Sequence, residues 1–257
     1  MLGDKMFLFW LKTKSKIQPR FQQGIAHIRG YQITYTDILS LYMEFKDIFC
    51  NLIYHFENKN SRPFIIDGGS CIGISVLYFK SVYPDARIVC FEPDPEIFKI
   101  LQNNLYVNNL NDITLINAGL AKEETVMSFK PDNSDGGKFV ESDKNNLKIR
   151  TVRLSKYIPE SVDFLKLNIE GQELPVLQEA EESGKLRNIK EMVIEYHGWP
   201  NENQKLGELL NILDRNGFRY LIHDFDRETC SASKPPFHLD SRTPWFCLVY
   251  AQRQDAS

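Results

Sequence analysis

Residues 64–73 read Phe64-Ile65-Ile66-Asp67-Gly68-Gly69-Ser70-Cys71-Ile72-Gly73, a short apolar β-type run that enters a glycine-rich turn, with a helical pattern starting near Ile72. Glycine in such a turn lets the backbone approach a ligand and adopt angles that a Cβ forbids. The next β-type run, residues 86–91, ends in Phe91-Glu92-Pro93-Asp94-Pro95, which places a carboxylate 23 residues beyond Gly69. In a doubly wound sheet both turns open on the carboxyl edge of neighbouring strands, where a ribose can bond the carboxylate and the rest of a nucleoside can cross the glycine turn. The pair predicts a nucleoside site.

Outward from this unit, apolar β-type runs alternate with amphipathic stretches. Runs at 64–66, 86–91, 113–116, 163–167 and 191–196 are separated by helical patterns such as 95–109, where Ile97, Ile100, Leu101 and Leu105 fall on one face, and 173–186. The alternation predicts an α/β fold with a parallel sheet covered on both faces. It breaks twice. Residues 125–130 and 148–154 alternate like strands around the polar loop 131–137, and 218–225 with 245–250 read as two strands closing the sheet with an antiparallel element. Residues 1–60 read as mostly helical, strongest over 35–56. The expected division is a helical N-terminal lid or cap over 1–60 and a Rossmann-like domain over 61–257, with a β-hairpin insertion at 120–160.

The 257 residues carry 31 basic and 34 acidic side chains, 42% hydrophobic and 25% charged, which suits one large soluble core and excludes a chain that coats nucleic acid. No apolar run approaches the roughly 20 residues of a membrane span, so a cytoplasmic protein is expected. The basic N-terminal stretch with Lys12, Lys14, Lys16 and Arg20 follows the apolar residues 6–11, and reads as a solvated face or as a contact with a membrane surface or partner. That apolar cluster also makes a homodimer possible. Cys50, Cys71, Cys90, Cys230 and Cys247 form no Cys-x-x-Cys pair and predict buried free thiols, with neither disulfides nor a metal site.

The glycine spacing is not the Gly-x-Gly-x-x-Gly of a dinucleotide site, and Asp67 at the strand tip would repel a pyrophosphate. No Gly-Lys-Ser/Thr follows, which excludes a P-loop. An acid there suits a sulfonium, favouring S-adenosylmethionine over NAD.

At this point the residues resemble a known family. Asp67 to Gly73, then Phe91-Glu92-Pro93-Asp94-Pro95, then Asn117-Ala118-Gly119-Leu120, then Asp163-Phe164-Leu165-Lys166-Leu167-Asn168-Ile169-Glu170-Gly171-Gln172-Glu173 are similar, in order and spacing, to the successive motifs of FkbM-type S-adenosylmethionine-dependent methyltransferases. The resemblance covers residues 64–197 and implies a Rossmann-like class I methyltransferase fold, a seven-stranded, mostly parallel sheet with an antiparallel last strand. It implies S-adenosylmethionine as cofactor, S-adenosylhomocysteine as product, and methyl transfer to an oxygen of a sugar or secondary metabolite. Carried over, Asp67, Gly69 and Gly73 would line the methionine end and Glu92 would hold the ribose. Asn117 and Ala118 would flank the adenine, and Gly68, Ser70, Pro93 and Asn168 complete the cofactor set. The family usually has an aspartate where Asn168 stands, which weakens a proton-abstracting or metal-binding role there.

A hydroxyl acceptor benefits from a base, and the candidates lie at strand ends: His197, Glu195 and Glu170. His197 ranks first because an imidazole ordinarily titrates near neutrality, and Trp199 beside it offers a face to a sugar. His27, His55, His223 and His238 show no partner pattern. The loop Asp132-Asn133-Ser134-Asp135-Gly136-Gly137 lacks the ligand spacing of a calcium loop, having Asp143 at the twelfth place. Two other functions stay open: N-methylation of a small molecule, and a non-catalytic S-adenosylmethionine-binding scaffold.

Overall fold

From its N-terminus the chain forms α1 (Leu2–Ser15), a hairpin of β1 (Gly24–Ile28) and β2 (Tyr31–Tyr35), and α2 (Ile38–Glu44), which runs into a π-helical segment, Phe45–Cys50. The structure is a computed structural model and describes residues 2–132, 134, 136–141, 146–200, 202–223, 235 and 244–254. The hairpin corrects the mostly helical reading of residues 1–60. Ile28 pairs with Tyr31, and the two loop residues Arg29 and Gly30 both take positive φ, 48° and 91°, the backbone of a tight hairpin turn.

β3 (Phe64–Gly68), α3 (Ile74–Val82), β4 (Arg87–Phe91), α4 (Pro95–Val107) and β5 (Ile113–Ile116) then alternate. α4 begins where the sequence supplies a cap: the Asp94 carboxylate accepts the backbone N–H of Glu96 and Ile97, and Pro95 occupies the first turn. Next come β6 (Gly119–Leu120), β7 (Val126–Lys130), β8 (Lys138–Val140) and β9 (Leu147–Val152), a small separate sheet in the order β6-β9-β7-β8. The chain returns through β10 (Val162–Leu167), α5 (Glu173–Glu182), β11 (Ile189–Gly198), α6 (Leu206–Arg215), β12 (Phe218–His223) and β13 (Trp245–Arg253).

The main sheet has seven strands in the order β12-β13-β11-β10-β3-β4-β5. β13 is antiparallel to both neighbours and the other pairings are parallel. All six residues of β10 are buried, as a strand covered on both faces requires. One apolar cluster joins the N-terminal elements to α3 and α4, and a second joins α5 and α6 to the other face. The predicted closing strands are present to His223 and from Trp245; Asp224, Phe225, Cys230 and His238 lie outside the described residues. Cys90 and Cys247 are buried as expected, whereas Cys71 is half-buried and Cys50 is exposed at the end of the π-helical segment, whose buried side chains are Phe45, Asp47, Ile48 and Phe49.

The N-terminal hairpin is fastened by α4. Asn104 and Asn108, one turn apart, bond the β2 backbone: Thr34 and Gln32 N–H donate to their amide oxygens at 2.8 Å each, and their amide nitrogens donate back at 2.9 and 2.7 Å. This satisfies an otherwise open strand edge and brings α2 beside the glycine turn.

Candidate active site

At the tip of β3 the chain turns sharply enough that Gly69 N–H and Ser70 N–H both donate to the carbonyl of Phe91, at 3.0 and 2.9 Å. Gly69 has φ 82°, and a Cβ on it would lie 1.8 Å from the Asn168 carbonyl oxygen. Glycine is therefore demanded by the chain itself. Across this turn stands Glu92. Its Oε2 accepts the N–H of Cys71 at 3.0 Å and its Oε1 that of Asp94 at 2.8 Å, so one carboxylate fixes both turns. Burial pushes the Glu92 carboxyl up to about 8, against the opposing pull of the Asp94 N–H. Each oxygen retains a lone pair, and the residue faces a cavity.

Asp67 does not face it. Its carboxylate is fully buried, accepts Ser75 Oγ–H at 2.6 Å, and pairs with Lys166 Nζ at 3.0 Å, the two residues sitting in register on β3 and β10. Lys166 also donates to the carbonyls of Gly69 at 2.5 Å and Gly68 at 3.2 Å. The acid read from sequence as a partner for a sulfonium is neutralised from within.

Beyond β10 and β11 a denser cluster forms. Asn168 Nδ2 donates to Glu195 Oε2 at 3.0 Å, and Tyr54 OH reaches the same oxygen at 3.4 Å. Burial and the Glu195 charge hold the Tyr54 phenol well above its ordinary value, so it is a donor. His197 Nδ1 lies 3.2 Å from Glu173 Oε1, and its Nε2 lies 3.4 Å from Glu170 Oε2 and 3.7 Å from Glu195 Oε1. Desolvation opposes its charge, but the Glu170, Glu173 and Glu195 carboxylates outweigh it and raise the imidazole from 6.5 to about 10. At neutral pH His197 is a cation. A base needs an open lone pair, and an imidazolium with both nitrogens facing carboxylates offers none, which corrects the ranking of His197.

Glu173, at the start of α5, organises this cluster, a role the sequence reading missed. It is 1% exposed and accepts the N–H of Ile169 at 3.1 Å and of Gly171 at 3.0 Å besides bonding His197. These bonds hold the turn in which Glu170 takes φ 55°, a strained angle for a glutamate. Trp199 is also less available than expected. It stacks on His197 with centroids 5.5 Å apart and 8° between planes, and the Lys138 ammonium from β8 lies 3.7 Å from its ring centre. Its indole N–H and Asn168 Oδ1 are buried with no hydrogen-bond partner among the described residues.

One cavity of roughly 370 Å³ joins these groups. Gly69, Ser70, Glu92, Pro93, Ala118, Asn168, Glu170, Glu195 and His197 line it, as do Leu39 and Met43 of α2 and Phe129 and Phe139 of the small sheet. Gly68, Gly73 and Asn117 do not. Leu120 and Leu167 pack on Gly68 and Leu101 on Gly73, while Asn117 Nδ2 bonds the carbonyls of Glu92 and Pro93 at 2.9 and 3.2 Å. These three shape the turns from behind. The Asp132 carboxylate accepts Ser134 and Gly136 N–H at 2.8 and 2.9 Å; Asn133, Asp135 and Asp143 lie outside the described residues.

Residues 67–220 match the methyltransferase FkbM domain, more than half of the chain and the whole span from the glycine turn to β12. The chain belongs to the FkbM methyltransferase family. Within curated proteins it is 29% identical over 195 residues to methyltransferase sdnD of Sordaria araneosa, covering 60% of this chain and 75% of that one. It is 28% identical over 160 residues to methyltransferase 1 of Beauveria bassiana, covering 52% and 64%. An FkbM methyltransferase from Methylobacillus flagellatus shares the fold, with a TM-score of 0.50 at 18% identity over 93% of this chain and 57% of that one. This FkbM chain thus spans less than two thirds of that crystallised relative, and its class I methyltransferase fold is the one expected from sequence.

Proposed function

We propose that this FkbM-family chain binds S-adenosylmethionine and transfers its methyl group to a hydroxyl oxygen of a small molecule, a sugar or a secondary metabolite. The observation that carries the reading is the meeting of two sets of groups in one cavity: the glycine turn with Glu92 on one side, and Glu170 with Glu195 on the other. The residues present fit the cofactor. Glu92 offers two buried oxygens suited to a pair of ribose hydroxyls, and Ala118 gives a flat apolar wall. The attraction to a sulfonium, taken from Asp67 in the sequence reading, comes instead from the cavity as a whole. Its described lining holds seven carboxyl groups against the cations Arg20, Lys166 and His197. Each of those cations already bonds an acid: Asp37, Asp67 and Glu173. Even with Glu92 protonated the balance is negative.

The cofactor supplies a methyl group that is already activated, so the protein's task is alignment, exclusion of water and removal of one proton. Glu195 is held by Asn168 and Tyr54, and Glu170 by its strained turn; either carboxylate can take the hydroxyl proton as the new C–O bond forms. The His197 cation lies between them and offsets the repulsion of the two acids. Trp199 N–H and Asn168 Oδ1, a donor and an acceptor without hydrogen-bond partners among the described residues, suit an acceptor rich in hydroxyls.

Mass spectrometry of a panel of hydroxylated sugars and metabolites incubated with the chain and S-adenosylmethionine tests the reading. A methylated oxygen is expected, with turnover falling by roughly 10²- to 10⁴-fold in the Glu195→Gln or Glu170→Gln variant that removes the base. Methylation confined to amines would establish the nitrogen acceptor, and tight cofactor binding without transfer to any acceptor would establish the scaffold.

A further inference from the structure

Residues 1–25 carry Lys5, Lys12, Lys14, Lys16 and Arg20 against a single acid, Asp4, a local charge of +4 in a chain of net charge −3. The same stretch exposes large apolar side chains: Met6 is 68% exposed, Phe9 73%, Ile17 79%, Phe21 54%, and Ile25 on β1 57%. α1 is seated by its other face. Leu11 is fully buried, and Phe7 and Leu8 pack on the core, Phe7 edge-on to Phe45 with centroids 4.9 Å apart. At about 100° per residue, Met6, Phe9 and Thr13 fall on the outward face, with the exposed Lys5 and Lys12 along one flank and the exposed Lys16 in the turn just past the helix. Trp10, 41% exposed, stands at the edge of that face, where the Lys14 ammonium lies 4.8 Å from its ring centre while bonding Tyr35 OH.

We propose that this face is a docking surface for an anionic lipid bilayer, with Met6, Phe9 and Trp10 at the boundary of headgroups and acyl chains and Lys5, Lys12 and Lys16 on lipid phosphates. A helix of 14 residues with an apolar face and a basic flank is the pattern of a segment that lies in the interface. Among the described residues no helix is long and apolar enough to cross a membrane. Tryptophan at the rim suits headgroup depth. A second copy of the chain fits less well, because a two-fold interface through this face would set lysine flanks against a surface of the same sign. Arg20, paired with Asp37, follows the basic stretch in sequence and lines the cavity, so the docking surface adjoins the candidate active site.

The test is sedimentation of the full chain with vesicles of phosphatidylcholine, alone or with about 30 mol% phosphatidylserine. Binding is expected to the anionic vesicles alone, with release at roughly 0.5 M salt and a blue shift of tryptophan emission that Trp10→Phe abolishes. Phe9→Ser, and Lys12→Glu with Lys16→Glu, should each weaken partitioning, on the order of five-fold per lysine. Failure of the wild-type chain to distinguish the two vesicle types overturns the proposal, as does a dimer that Phe9→Ser dissociates in a chain that binds no vesicles. The vesicle comparison uses the wild-type chain and so decides the matter even where a variant folds poorly.

Discussion

His197 Nδ1 lies 3.2 Å from Glu173 Oε1, which ties the end of β11 to the first turn of α5 and makes the histidine a buried cation. Its value rises from 6.5 to about 10, so the stabilisation it brings is fully present below pH 6.5 and is lost as the pH climbs through about 10. Urea unfolding of wild type and His197→Gln across that window should show the wild-type advantage, on the order of a few kcal/mol, shrinking toward the alkaline end. The rate profile should lack the rising limb near pH 6.5 that a histidine base would produce.

Glu92 follows the same sign with the opposite meaning. A carboxyl that rises from 4.5 to about 8 on folding opposes the native state increasingly as pH rises between those values. Glu92→Gln keeps an acceptor for only one of the Cys71 and Asp94 N–H groups, so it should abolish the fall in stability between pH 4.5 and about 8 in thermal melts of the chain without cofactor, while weakening S-adenosylhomocysteine binding in calorimetry by roughly 10- to 100-fold. Unchanged affinity would remove Glu92 from the ribose site.

Lys166 and Asp67 form a pair inside the sheet. Lys166→Met leaves the acid buried with Ser75 alone and should cost about 3 to 5 kcal/mol in chemical denaturation. Adding Asp67→Asn to that variant should recover part of the loss, and the coupling read from the double-mutant cycle measures the pair.

How much of this was legible in the sequence depends on how far apart the partners are. The strand, glycine turn and helix at residues 64–82, the acid 23 residues after Gly69, and the antiparallel closing strand are local patterns, and they were readable. Ala26 and Ile28 opposite Ile33 and Tyr31 were also readable around the Arg29-Gly30 turn, but the strong helical pattern after residue 35 masked them. The Lys166–Asp67 pair was not, because residues 99 apart become neighbours only once β10 is known to lie beside β3. The charge state of His197 was hidden for the same reason: Glu170 and Glu173 approach it from another strand's end. Glu173 left one local signal, an acid in the first turn of a helix.

Asn168 tests the departure from the family's usual aspartate. Its amide donates to Glu195 at 3.0 Å, a contact an aspartate would turn into two facing carboxylates. Asn168→Asp should force the pair to share a proton, adding an ionisation to the rate profile that wild type lacks and lowering kcat/KM at neutral pH on the order of 100-fold. A wild-type profile in this variant would show that Glu195 takes no part in proton removal.

The most direct measurement is incubation of the chain with S-adenosylmethionine carrying a trideuterated methyl group and the acceptor panel, with the product solved by NMR. A trideuteromethyl group on a hydroxyl oxygen, formed by wild type and lost together with Glu195 and Glu170, is the predicted result. Label found only on nitrogen, or cofactor bound and returned with its methyl group intact across every acceptor, would contradict it.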